Sequence, residues 1–307
     1  MSNDRNNSGI LGQKTADRRF AILALSPAWV FLALLIAYPL IIVISNTFQN
    51  VNLINSEVTG FAGLDNFDKV FSDPHFSKAV TNTIVWTLFS VAGEYVIGLL
   101  AAVLLNRNIR GQGIFRVLTF IPWLVPIIVA GMTWDWMLNP DFGIINSVLV
   151  RLGIVDQAVN FLGNPSTAMA TVIFVNIWRS FPYYTICFLA ALQAIPTELA
   201  EAAQLDGAGS WKIFWRVKFP HLRSVSLIIM FVHLIWTAVN FDFIWVMTQG
   251  GPNYATITLP ILIYRYSMQQ FDVGMASALS SIMLLFTSII FVGYYKLRKG
   301  LSEEIVG

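Results

Sequence analysis

Cysteine and charge are what this 307-residue sequence has least of. Its one cysteine, Cys187, lies inside an apolar run, so a disulfide framework and a cysteine-based metal site are both excluded. The three histidines, His75, His221 and His233, have no metal-ligand spacing and read as structural or incidental, and no metal site is expected. No P-loop, GxSxG elbow, HExxH or CxxC occurs. The chain is therefore expected neither to hydrolyse ATP itself nor to act as an intramembrane protease, and no catalytic residue is assigned. Only 12% of the residues are charged, against roughly 25% in an ordinary soluble domain. No alternating ten-residue pattern suggests a β-barrel, and no internal repeat or low-complexity segment stands out.

What is present instead is apolar length. The chain is 56% hydrophobic with a mean hydropathy of +0.66. The first run, Phe20 to Phe48, has 29 residues without a charge, too long for a signal-peptide core, and reads as an uncleaved first span. About 20 apolar residues cross the hydrocarbon layer. Six spans follow on that measure: Phe20–Thr47, Val80–Leu105, Phe115–Leu138, Thr167–Leu192, Val225–Met247 and Gly274–Leu297. Helices are expected for all six, since lipid cannot satisfy open backbone groups. The stretch Phe142 to Val159, broken by Asn146, Arg151, Gly153 and Asp156, reads as one or two short interfacial helices.

Basic residues orient the spans. Of the 19 lysines and arginines, 14 fall on the side of the N-terminal tail, including Arg107, Arg110, Arg116, Lys212, Arg216 and Lys218. Four, Lys69, Lys78, Arg151 and Arg265, fall on the other side, and Arg179 lies within a span. The expected fold is an all-α integral membrane protein with six transmembrane helices, N-in and C-in. Residues 1–19 and 299–307 are expected as cytoplasmic tails around one membrane domain, 20–298.

Between the fourth and fifth spans lies a cytoplasmic loop, 196–220, with its own start and stop signals. Pro196 and Thr197 can open a helix, and Glu198 and Glu201 complement the positive end of its dipole. Gly207 suits a left-handed closing residue. A second amphipathic run, Trp211 to Phe219, is expected to stop at Pro220. An ordered loop helix of this kind points to a docking partner.

Ionisable groups within spans cost about 2.5–3.5 kcal/mol each, which makes Glu94, Arg179 and Asp242 site candidates. Arg179 and Asp242 can neutralise one another across the bundle, with Glu94 competing for Arg179; the alternative is that they line a polar solute cavity. Trp236, Asn240, Phe241, Asp242 and Trp245 combine rings with amide and carboxylate acceptors, and Trp236 and Asn240, four apart, fit one helix face. Rings pack the C–H faces of a polyhydroxylated solute while acceptors bind its hydroxyls. Arg179, Tyr183 and Tyr184 form a similar cluster around Pro182, which can free the Trp178 carbonyl and kink the fourth span.

The loop ELAEAAQLDGAGSWKIFWRVKFP resembles the EAA loop of membrane-spanning subunits of bacterial ABC importers. That pattern is Glu-Ala-Ala, three residues, Gly, nine residues, then Ile-x-Leu-Pro. Glu201, Ala202, Ala203, Gly207 and Pro220 match it, Val217 and Phe219 replace the Ile and Leu, and Asp206 and Ala208 flank the glycine as in the carbohydrate-importer branch. Gly63–Phe67, Phe76, Asn82-Thr83, Asn106–Arg116, Thr248–Pro252, Ala255-Thr256 and Tyr264 resemble other stretches of that branch in order.

The resemblance implies a type I importer permease fold in the bacterial inner membrane. It implies that Glu198, Glu201, Ala202, Ala203, Asp206 and Gly207 couple to a cytoplasmic ATPase. It further implies a second homologous permease, two ATPase copies and an external solute-binding protein as partners, besides lipid, and no nucleic acid. ATP and Mg would be held by the partner ATPase, and this chain would bind no cofactor. Asn240 and Phe241 match positions that contact sugar in the maltose-type branch, whereas Asp242 does not match an asparagine there. The expected solute contacts are Arg179, Tyr183, Trp236, Asn240, Phe241 and Asp242. A sugar is the first expectation for the solute, and an anionic sugar derivative, drawn by the guanidinium of Arg179, is the second. A secondary transporter or channel is the competing class, against which the loop helix and the lack of inverted repeats both speak.

Overall fold

The computed structural model describes residues 22, 24–54, 60–107 and 110–306, with side chains to 299. The tail 1–19, with Arg5, Lys14, Arg18 and Arg19, and the start of the first span at Phe20 lie outside the described residues, as do the side chains beyond 299. Within them the protein is all-helical, with two isolated β-bridges, Gln49 to Phe61 and Asn52 to Asp272.

Five helices are long and apolar enough to cross a membrane: α1 (Ala24–Thr47), α3 (Phe76–Leu105), α7 (Ala168–Gln193), α9 (Ser210–Ala238) and the apolar part of α12, Val273–Lys299. Helix α2 (Asp65–Ser72) precedes α3, and α6 (Ile144–Arg151) and α8 (Thr197–Leu205) flank α7. Each long helix lies where an apolar run of the sequence lies. Buried side chains of these helices and of the stretch 243–262 make two apolar cores. One gathers Trp86, Phe243, Ile244, Ile257 and Leu279, and the other gathers Tyr184, Phe188, Leu189 and Leu222.

The third expected span is the first correction. Phe115–Leu138 is not one helix but two, α4 (Gln112–Leu124) and α5 (Ile127–Leu138), bent by 94°. Proline is the reason. Val125, immediately before Pro126, takes the extended conformation that pre-proline sterics favour (ψ 127°), and Pro126 itself sits at ψ 140°. Helix α5 then seats Trp134 against Phe174 and Trp178 of α7, at ring distances of 5.7 and 5.3 Å. Counted as a single bent span, the pair brings the total to six.

The fifth span is the second correction. Val225–Met247 breaks after Ala238 and resumes as α10 (Asp242–Thr248). The Asn240 side-chain oxygen accepts the N–H of Phe243 at 3.1 Å, satisfying a donor that the new first turn leaves free. Pro182 sits inside an α7 that continues through it, and Pro220, against expectation, does not end the run before it. Ahead of Pro220 lies a π turn, Phe214–Lys218, in which the Phe219 N–H reaches the Phe214 carbonyl, and the helix passes through. Of the stretch 142–159 only Ile144–Arg151 is helical, held by buried Asn146, which donates to Leu138 and Val159 carbonyls at 3.0 and 3.1 Å.

Buried polar groups tie the connecting loops to the bundle. Asn66 donates to the carbonyls of Thr47 and Gln49, both at 2.9 Å. Asn82 donates to Ala255 and Ile257 carbonyls at 3.0 and 2.8 Å, and the neighbouring Thr83 hydroxyl accepts the Leu259 N–H at 2.9 Å. These two residues of α3 thereby fix the loop after α10 and the start of α11 (Leu259–Tyr264). The Tyr266 hydroxyl donates to Asp73, joining the segment after α11 to the loop before α3. Burial, and then the Asp73 carboxylate, hold the Tyr266 phenol above the ordinary tyrosine range.

Candidate solute pathway and coupling loop

Helices α3 and α7 approach closely because α3 carries glycine where they cross. A Cβ on Gly98 would meet Tyr184 Cβ and lie 3.0 Å from the Phe181 carbonyl oxygen, and one on Gly93 would meet the Ile177 side chain. That approach brings Glu94, one turn before Gly98, to the centre of the bundle with 0% exposure.

Glu94 is fully partnered there. Its two oxygens accept from Asn176 Nδ2 of α7 at 2.9 Å and from His233 Nδ1 of α9 at 2.8 Å, so three spans meet on one carboxylate. A buried carboxylate without donors would be prohibitively costly, and these two bonds are what allow it. Arg179, half-buried one turn beyond Asn176, interacts electrostatically with Glu94, and its Nε has no hydrogen-bond partner. Arg179 does not pair with Asp242. Asp242 is exposed in the first turn of α10, where the helix dipole favours its charge. Of the two carboxylates expected to compete for Arg179, Glu94 is the one that faces it.

His233 is the residue that sequence reasoning set aside. It is 6% exposed, and its ring stacks on Tyr183 at 4.6 Å and meets Tyr184 edge-on at 4.7 Å. Trp236, 58% exposed, leans on both His233 and Tyr183, at 5.6 and 6.1 Å. Two polar atoms in this nest are buried without a partner, His233 Nε2 and the Tyr184 hydroxyl. The available signal was that Glu94 and His233 are both ionisable and both inside apolar runs, which makes each the natural partner of the other.

A second aromatic group lies beyond the break in the fifth span. Phe241 stacks on Trp245 at 5.3 Å, and Tyr264 closes on both at 4.8 and 4.5 Å. Asn240 lies in the break between the two groups, so it and Trp236 do not share a regular helix face. The expected solute residues thus divide: Arg179, Tyr183 and Trp236 around the Glu94–His233 pair, Phe241 in the second group, Asn240 as a helix cap and Asp242 exposed. Among the described residues no three His, Cys, Asp or Glu side chains gather as metal ligands would.

The loop between α7 and α9 has the opposite character. Helix α8, with Pro196 as its N-cap, buries none of its residues. Glu198, Glu201, Ala202 and Asp206 are exposed, Ala203 is half-buried, and Leu205 is 90% exposed. Gly207 takes φ +77°, its N–H bonding to Gln204 and that of Ala208 to Ala203, both at 2.9 Å. This is the left-handed closure expected from its position.

Residues 94–303 match the family described as the binding-protein-dependent transport system inner membrane component. The sulfoquinovosyl glycerol transport system permease protein of Agrobacterium fabrum is 32% identical over 281 residues, covering 92% of this chain and 91% of that protein. The trehalose/maltose transport system permease protein of Thermococcus litoralis is 34% identical over 241 residues, covering 78% and 81%. In fold, a chain of a bacterial ABC transporter that imports the acidic polysaccharide alginate superposes with a TM-score of 0.81 at 21% identity, covering 94% of this chain and 98% of that one. With its apolar helices and this family match, the chain belongs to the binding-protein-dependent inner-membrane transport components: it is a multi-pass permease subunit of an ABC importer, a transport component and not an enzyme.

Proposed function

We propose that the chain forms half of a translocation pathway for a carbohydrate, with Tyr183, Trp236, Phe241 and Arg179 along the route. The observation that carries this reading is the polar nest at the bundle centre. Glu94 and Asn176 hold His233 between aromatic rings, and two buried polar atoms there, His233 Nε2 and the Tyr184 hydroxyl, lack partners. Rings beside hydrogen-bonding atoms suit a solute with both C–H faces and hydroxyls. The named substrates of the relatives, trehalose or maltose and a sulfoquinovosyl glycerol, support the same class. Asn240, in the break, and Asp242, at the start of α10, flank the same route.

Coupling is assigned to the exposed helix α8. Glu198, Glu201, Ala202, Ala203, Asp206 and Gly207 would dock into a cytoplasmic ATPase that holds ATP and Mg. A second permease and an external solute-binding protein complete the assembly, and the termini lie in the cytoplasm with α8. Shifting a two-state pathway from 1:99 to 99:1 takes about 5.5 kcal/mol of differential binding, which nucleotide turnover at the partner supplies.

A second reading, an anionic sugar derivative, rests on Arg179, whose Nε has no hydrogen-bond partner. A guanidinium binds sulfonate, carboxylate or phosphate through a planar fork. Uptake into proteoliposomes bearing the complete transporter, challenged with neutral, sulfonated and phosphorylated sugars, tests both. Competition by none of them would overturn the carbohydrate assignment. Arg179→Met losing only the anionic competitors would select the second reading.

A further inference from the structure

Coupling accounts for α8 but not for the nine residues that open α9. That helix is 29 residues long, whereas about 20 cross the hydrocarbon, so the segment Ser210–Lys218 extends past the apolar layer. Its side chains are arranged for a surface. Ile213 is buried against the protein, while Trp211 and Trp215, four apart, are 76% and 42% exposed with rings 5.6 Å apart. Phe219 packs on Trp215 at 4.7 Å and extends the aromatic ledge. Beside it stand exposed Lys212 and Arg216, again four apart, with no ion pair among the described residues.

The chain contains no acidic residue between Asp206 and Asp242, so counter-charge for this ledge must come from outside the local sequence. The two halves of the loop are opposite in sign. Helix α8 and its C-cap present Glu198, Glu201 and Asp206, and the charged residues of the ledge are all cations. Indole rings favour the headgroup level of a bilayer, and basic side chains beside them favour anionic lipid. The ledge is also continuous with a membrane-spanning helix, so at about 1.5 Å per residue its nine residues lie within about 14 Å of the apolar layer.

We propose that Ser210–Phe219 is an interfacial anchor for anionic phospholipid headgroups, seating the acidic coupling helix against the membrane. The full chain, with Cys187→Ser and Trp211→Cys labelled by bimane, is placed in nanodiscs of phosphatidylcholine with or without phosphatidylglycerol. A nitroxide at the lipid headgroup is expected to quench at least about twofold more than aqueous iodide or a deep-chain nitroxide. Dominant iodide quenching overturns the proposal. So does shielding that appears only when the partner ATPase is added, which would assign the ledge to a protein groove. On the chain with its native tryptophans, lipid retention is read by native mass spectrometry. The preference for phosphatidylglycerol is expected to fall about fivefold for each of Lys212→Gln and Arg216→Gln. Equal retention of the two lipids by the unsubstituted chain also overturns it.

Discussion

Glu94 shows how one residue constrains three spans. Removing it leaves His233 and Asn176 buried with unmet polar atoms, so Glu94→Ala is expected to cost about 2–4 kcal/mol. In a thermal-unfolding cycle in detergent, Glu94→Ala plus His233→Ala should cost less than the sum of the two, because they share one bond. Additive losses would show that the pair is not coupled. Tyr266 gives a second residue-scale test. Its folded phenol is raised above the unfolded value by burial and by Asp73, so the unfolded chain loses this proton first. Its stabilisation is present below about pH 10 and is lost as pH rises through the raised value. Tyr266→Phe should therefore lower stability by about 1 kcal/mol at neutral pH and flatten the alkaline fall relative to wild type.

The crossing of α3 and α7 and the break after Ala238 are properties of elements. Gly98→Leu inserts a side chain where even a Cβ meets α7 backbone, with the Phe181 carbonyl oxygen only 3.0 Å away. Overpacking of this kind costs about 1–3 kcal/mol and should appear as a lowered unfolding temperature. At the break, Asn240→Ala removes the acceptor for the Phe243 N–H and should cost about 0.5–2 kcal/mol, whereas Asn240→Asp keeps it. If Asn240 serves solute passage through its amide, Asn240→Asp will be as stable as wild type but slow in uptake. Normal uptake by that variant would restrict Asn240 to its capping role.

At the scale of the whole transporter, Gly207 is the informative position. A Cβ there meets nothing within 4 Å, so its backbone, at φ +77°, sets the requirement. Gly207→Pro is incompatible with positive φ and also removes the N–H that bonds Gln204. It should abolish ATP-driven uptake while the chain remains in the membrane, and Gly207→Ala should be milder, near 1 kcal/mol of local strain. Wild-type uptake by Gly207→Pro would sink the coupling assignment. Glu201→Arg should fail similarly, through charge rather than shape.

Length and apolarity of the spans were legible because transfer from water to lipid depends on composition, which is local to each run. Helix α8 was equally legible, since Pro196, the acidic first turn and Gly207 act within a few residues. The two breaks were not, although Pro126 and Asn240, which stand at them, are in the chain: neither residue type is enough by itself to end a helix inside a span. Pro220 makes the same point from the other side, because a helix passes through it. The pairing at the centre was the least legible. Arg179 and Asp242 were the obvious couple by charge, yet close packing at Gly93 and Gly98 delivers Glu94 to His233 and Asn176 while α10 turns Asp242 outward. A helical membrane permease with an exposed loop helix could be read from the chain alone, because those features arise from short-range chemistry. Which buried groups meet was decided only by the tertiary structure, because contacts between α3, α7 and α9 depend on how closely the helices approach.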